Sequence, residues 1–173
     1  HGKEGLSRVI GDLQGFEAAA GAWERDLLAA RVGSYNPAWL DALCLSGEVV
    51  WGRLAPRDSA SAAPPRAAPL TLARRKDLGW LLGPRDEPRE SPDEHGISHA
   101  ARDVLLALRE SGASFVDEIV ARSRRLRAEV EQALWELVAC GQVTADGFAG
   151  LRALLTPASR RAPRHRRRPS RRR

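Results

Sequence analysis

The chain has 173 residues, 43% hydrophobic and only 5% aromatic, with a net charge of +6; that is room for one ordinary domain or two very small ones with a packed core. Nine of the 28 basic residues fall in 157–173, which holds no acid; the other 19 face 22 acids, so the rest of the chain is net −3 and the basicity belongs to a tail. No signal peptide is visible, and no apolar run approaches the roughly 18 residues of a membrane span, which excludes a membrane-embedded reading.

The sequence has no Met and enters a helical pattern almost at once, as expected of a longer protein whose start has been cut away. Residues 6–20 read as a helix, with Leu6, Val9, Ile10 and Leu13 at helical spacing. Gly15 and Gly21 weaken the pattern, and a short helix, Trp23 to Arg31, follows. Asn36-Pro37 opens another helix: Asn caps free N–H groups and Pro suits the first helical position. Gly47 stops it, and Glu48 to Leu54 reads as a strand. Residues 55–68 have no period and read as a loop. Pro69 to Arg74 fits the return strand of a β-wing, and Trp80-Leu81-Leu82 a short apolar anchor. Residues 83–96 are polar and Pro-rich, a second linker stretch.

Ser98 to Glu110 is amphipathic, with Ala101, Val104, Leu105 and Leu108 on one face. Gly112 ends it. Ser114-x-x-Asp117 is expected to cap the next helix, with Phe115 and Ile119 facing inward. Leu126 to Cys140 is a third helix, its expected core face Leu126, Val130, Ala133, Leu134, Leu137 and Val138. Gly141 stops it and Gln142-Val143-Thr144 starts a strand. Three helices followed by a strand outline a winged helix. Phe148 to Leu155 is expected to pack back on this unit. LDALCLSGEVVWG (Leu40 to Gly52) and LWELVACGQVTADG (Leu134 to Gly147) align on Gly47 and Gly141, so a helix, a Gly stop and a Val strand recur 94 residues apart. The echo supports tandem winged helices; an Ala/Leu-rich chain also produces such echoes by chance.

The fold expected is therefore mainly α with short β-hairpins (α+β), in tandem winged-helix-like modules. A helical, winged-helix-like module covers 1–54. A linker, with room for β-wing strands in 69–82, covers 55–96. A winged-helix module covers 97–156, and a disordered Arg-rich tail covers 157–173. Cys44 and Cys140 have no CxxC partner and read as buried free thiols.

Two long stretches resemble one family. AAGAWERDLLAARVGSYNPAWLDALCLSGEVVWGRL (Ala19 to Leu54), and GASFVDEI with VEQALWELVACGQVTADGFAGLRAL (Gly112 to Leu154), are similar to the C-terminal region of bacterial Lhr, the large helicase-related proteins of the DEAD/DEAH-box superfamily. The resemblance covers roughly residues 12–156. It implies a parent that couples ATP hydrolysis, with Mg²⁺, to 3′-to-5′ movement on single-stranded DNA, and that unwinds DNA or RNA–DNA duplexes in DNA repair. The motor would lie upstream. The C-terminal region would be an array of winged helices with a small β-barrel-like element, similar in architecture to winged-helix DNA glycosylases. The family's pattern commonly has Asn before the Asp of the last turn, where this chain has Ala145-Asp146, which leaves the build of that turn open.

The motor's own signatures are missing from this sequence. Gly2-Lys3-Glu4 lacks the hydroxyl residue and preceding strand of a phosphate loop. Asp93-Glu94-His95-Gly96 mimics an acidic box but sits in a Pro-rich linker. No ligand spacing for zinc is found; His95 and His99 straddle a linker–helix junction. No cofactor and no catalytic residue is expected in this fragment. Base excision would need a positioned carboxylate, and Asp41, Asp117 and Asp146 read instead as helix, cap and turn residues. The five Trp read as core or intermodule packing rather than base-stacking platforms.

DNA contact is expected at the loop before the third helix of the second module: Arg122, Arg124, Arg125 and Arg127 are placed for phosphate oxygens. The alternative is a solvated face paired with Glu129 and Glu131. In the tail, Arg164, Arg166, Arg167 and Arg168 would attract phosphate without sequence preference. The expected partners are single-stranded or forked DNA, an RNA–DNA hybrid, the rest of the helicase chain and a second copy of the chain; the expected location is the bacterial cytoplasm, at the nucleoid. The competing readings are a protein–protein or oligomerisation scaffold and, more distantly, a glycosylase-like module.

Overall fold

The computed structural model describes residues 2–54, 67–83 and 96–155. Helix α1 (Gly2–Leu13) buries Leu6 and Ile10, one turn apart. The reading of a helix to residue 20 is corrected: Gly15 adopts φ +89°, and strand β1 (Ala18–Ala19) instead pairs antiparallel with residues 69–70. Alanine favours a helix, but Gly15 has already broken it, and pairing with residues 69–70 supplies the backbone partners of residues 18–19. A π-helical turn, Trp23–Leu28, runs into α2 (Ala29–Arg31). Asn36 then caps α3 (Pro37–Leu45), its Oδ1 accepting from the Ala38 N–H at 2.9 Å.

Strands β2 (Val49–Gly52) and β3 (Pro69–Arg74) pair antiparallel, with Val49 opposite Arg74 and Gly52 opposite Thr71. The sheet order is β1-β3-β2. Helix, short strand, two helices and a two-stranded wing make a winged helix. Trp23 is fully buried at its centre and donates from Nε1 to the Leu70 carbonyl at 2.9 Å. Leu28, Leu40, Leu43, Val49 and Leu72 close around it. Each such side chain contributes roughly 1.5–3 kcal/mol. Beyond the wing, α4 (Leu78–Leu81) leaves Trp80 66% exposed, so Trp80 is not the anchor expected of it.

A second cluster is built by α5 (His99–Ser111), α6 (Val116–Ser123) and α7 (Arg127–Ala139) around Val104, Ile119, Val130 and Leu137. Ser98 caps α5, its Oγ accepting from Ala101 N–H. Three expectations are corrected here. Phe115 and Leu126 point outward, 81% and 74% exposed; each is the residue that starts its helix, and a starting residue lies off the face its periodicity assigns it. Ser114 does not cap α6; its hydroxyl bonds Gly112 O and Ser111 Oγ. Gln142–Thr144 forms no strand. Instead the Thr144 hydroxyl donates to the Trp51 carbonyl of β2.

The two clusters are joined. Trp135, Val138 and Ala139 of α7 belong to the first. The buried Arg53 donates from Nη1 to the Ala139 carbonyl at 2.6 Å. Helix α8 (Phe148–Leu155) packs on α3 rather than back on its own unit, because Phe148 and Leu151 find their apolar partners there. Phe148 meets Trp51 edge-on, centroids 6.2 Å apart. Residues 55–66 and 84–95, with the mimic box at 93–95, and the tail from residue 156 onward lie outside the described residues. So do Arg164, Arg166, Arg167 and Arg168. No described helix is long and apolar enough to cross a membrane.

Candidate nucleic-acid interface

A winged helix usually presents its third helix to the groove. In the first unit that helix is α3, and its sequence, PAWLDALCL, contains no cation. Its one charge, Asp41, is already engaged. Arg152 of α8 forks between Glu24 (2.7 and 2.8 Å) and Asp41 (3.1 and 3.1 Å). The Tyr35 hydroxyl donates to the same Glu24 at 2.8 Å, and the Arg152 guanidinium lies over the Phe148 ring. Its hydrogen bonds to Glu24 and then to Asp41 hold Arg152 above the usual guanidinium range. Burial first, then the bond to Glu24, pushes the Tyr35 hydroxyl up. Burial also raises the Cys44 thiol to about 11, with the Asp41 charge adding. This face is neutralised and covered, and Asp41 is a structural carboxylate.

The corresponding place in the second unit is the turn between α6 and α7. The structure brings Arg122, Arg124, Arg125 and Arg127 to it, in two different states. Arg125 donates from Nε and Nη2 to Asp103 (2.9 and 2.7 Å) and lies 3.5 Å from Glu129. Arg127 pairs with Asp117 and with Glu131. Hydrogen bonds, to Asp103 and Asp117 respectively, raise both guanidinium pKa values. Arg122 and Arg124 are exposed and make no ion pair among the described residues. Arg124 ends α6 in the left-handed conformation, φ +54°. Sequence reasoning offered Glu129 and Glu131 as partners but missed Asp103, and it took Asp117 for a cap. Asp103 on α5 reaches Arg125 only through tertiary packing, which periodicity does not report.

Both helices start on the same device. The Glu118 carboxylate accepts the Phe115 N–H at 2.8 Å, and Glu129 accepts the Leu126 N–H at 2.9 Å. The signal was present as an apolar residue followed three positions later by Glu, in FVDE and LRAE.

A cleft of about 380 Å³ lies between the sheet and the turn after α7. Thr71, Arg75, Gln142, Thr144 and Asp146 supply polar groups to it. Asp146 is exposed, with no hydrogen bond or ion pair among the described residues. Of the tryptophans, Trp23, Trp51 and Trp135 are buried in the core. No group of three or more His, Cys, Asp or Glu that could hold a metal occurs among the described residues. Cys44 and Cys140 are buried free thiols.

Residues 1–71 match the family model described as the winged-helix domain of the large helicase-related protein. The chain is 36% identical, over 96% of its length, to a Mycolicibacterium smegmatis protein named Lhr helicase/probable uracil glycosylase. It is 32% identical, over 91% of its length, to an Escherichia coli protein named Lhr helicase/uracil glycosylase. It spans about a tenth of the length of each (10%).

Proposed function

The chain belongs to the Lhr (large helicase-related) family, of which it is a fragment carrying a winged-helix domain, and on that premise we propose that it is a nucleic-acid-contacting accessory part of such a helicase. Contact is made at the α6–α7 turn through Arg122 and Arg124. One observation carries this reading: these two guanidiniums are exposed and uncommitted at the entrance to the third helix of a three-helix unit, the place where a helix-turn-helix meets the phosphate backbone. Arg125 and Arg127, each held by two carboxylates, shape the turn. ATP and Mg²⁺ would act elsewhere in the parent, and the fragment contributes grip. The test is anisotropy of labelled forked DNA with the full chain. Arg122→Ala with Arg124→Ala should weaken binding about tenfold, a loss typical of two phosphate contacts. Equal weakening by Arg125→Ala with Arg127→Ala would contradict the division between the two pairs.

A second reading is favoured by the cleft. One relative is named a uracil glycosylase and the other a probable one, and the cleft is large enough for an extruded base. Asp146 at its lining is the carboxylate placed to orient water or to stabilise developing positive charge on the sugar. Uracil release from a single-stranded oligonucleotide, abolished by Asp146→Asn with folding intact, is the expected result. Release that persists in the variant would remove Asp146 from the chemistry.

A further inference from the structure

Of the five tryptophans only Trp80 is exposed, at 66%, and Phe16 is 54% exposed. The two flank one contact. Leu81, next to Trp80, brings its Cδ2 to 3.4 Å from where a Cβ on Gly15 would lie, and Phe16 follows Gly15. The joint around that contact is tightly tied. Gln14 donates from Nε2 to Asp77 at 3.1 Å, Asp77 pairs with Arg74 at 3.0 Å, and the Arg74 guanidinium lies against Gly11. The Phe16 N–H is held by the Leu13 carbonyl at 3.0 Å. Both aromatics are therefore fixed at the surface on ordered backbone, the pattern of an interface anchor. Asp12, four residues before Phe16, and Lys76, four before Trp80, are exposed and of opposite charge. A rim of both signs suits a protein partner and offers no run of cations to a phosphate chain.

Area decides which protein partner fits. An aromatic side chain buries roughly 150–250 Å² when fully covered, and these two are already about half buried, so the pair adds at most about 300 Å². A freestanding interface needs roughly 800 Å² on each partner. A second copy in solution would be held weakly by this face. A module joined to it through the same chain acts at an effective concentration of about millimolar and is seated by a small anchor. The chain spans about a tenth (10%) of its relatives' length, so most of a relative lies outside the matched region. We propose that the face formed by the end of α1 and by α4 is a docking surface for another module of the parent helicase chain, one that presents an apolar patch with a rim of mixed charge. The proposal rests on family membership and not on contact with nucleic acid.

Hydroxyl-radical footprinting, read by mass spectrometry on individual side chains, compares this chain alone with the intact parent protein. Trp80 and Phe16 should be oxidised readily in the chain alone and protected in the parent, Trp80 losing its reactivity down to that of the fully buried Trp23. Phe16→Ser with Trp80→Ser should leave the unfolding midpoint of the chain alone unchanged, and in the parent should speed proteolytic release of this region. Equal oxidation of both side chains in chain and parent would overturn the proposal. Protection that appears in the chain alone as its concentration rises would overturn it in favour of a second copy. Protection in the parent only after DNA is added would overturn it in favour of nucleic acid. A midpoint of the chain alone that falls on the double substitution would assign both side chains to its own fold instead.

Discussion

Helix α3 starts on Asn36, a polar cap, carries no cation, and has α8 locked across it by Arg152. Helix α7 holds the same place in its own three-helix unit, yet it starts on Leu126, exposed to solvent beside a turn with four arginines. The first third-helix is used to hold the molecule together and the second is left open at its entrance. Position in the fold therefore does not decide which third helix is left open. Cover and the local balance of charge decide it, and both are set by residues distant in sequence: Glu24 and Asp41 against Arg152, Asp103 against Arg125.

The largest test of this contrast is at the core that α3 helps to close. Trp23→Ala is predicted to cost about 3–5 kcal/mol, because it empties a fully buried site and leaves the Leu70 carbonyl without its donor. Urea denaturation measures it. A loss below about 1 kcal/mol would mean that Trp23 does not anchor the core that α3 closes.

That core was legible in the sequence, and the reason is locality. The β-wing return strand, Pro69 to Arg74, and the Asn36-Pro37 helix start were read at their observed positions, since both are written in a few adjacent residues. The cation cluster was also found, but its split into paired and uncommitted arginines was not. Helix periodicity placed Phe115 and Leu126 inside because it carries no information at a helix's starting residue. The docking of α8 on α3 joins residues more than 100 positions apart, and the missing strand at 142–144 reflects a competition, won by the first unit's sheet, that no local pattern encodes.

The next effect concerns the lock itself. Arg152→Ala is predicted to lower stability by about 1–2 kcal/mol, less than for a fully buried pair because the side chain is 32% exposed. Amide exchange in α8 should rise while affinity for DNA stays within twofold, about the scatter of such measurements. A tenfold loss of DNA affinity would merge the two roles that the comparison separates.

The same region should respond to alkali. The folded protein holds Tyr35 above its ordinary 10.0, and Cys44 at about 11 instead of 9.0. The unfolded chain therefore releases these protons first, and stability falls as pH rises above about 9. The loss should be on the order of 3–4 kcal/mol by pH 11. Tyr35→Phe should flatten this decline. A stability profile that rises between pH 9 and 11 would contradict the sign.

The smallest effect sharpens the comparison most. Arg124 holds a left-handed conformation that glycine adopts freely. Arg124→Gly is predicted to leave stability unchanged or raise it by up to about 1 kcal/mol, while weakening DNA binding. A residue whose removal helps the fold and harms binding is serving the ligand; destabilisation by more than about 1 kcal/mol would assign it to the fold instead.

The most direct test is a map of backbone amide shifts in the full chain on titration with oligothymidine. Shifts concentrated in residues 115–127, with α3 (residues 37–45) silent, are the predicted result. Shifts centred on α3, or confined to the arginine-rich tail beyond residue 156, would contradict it.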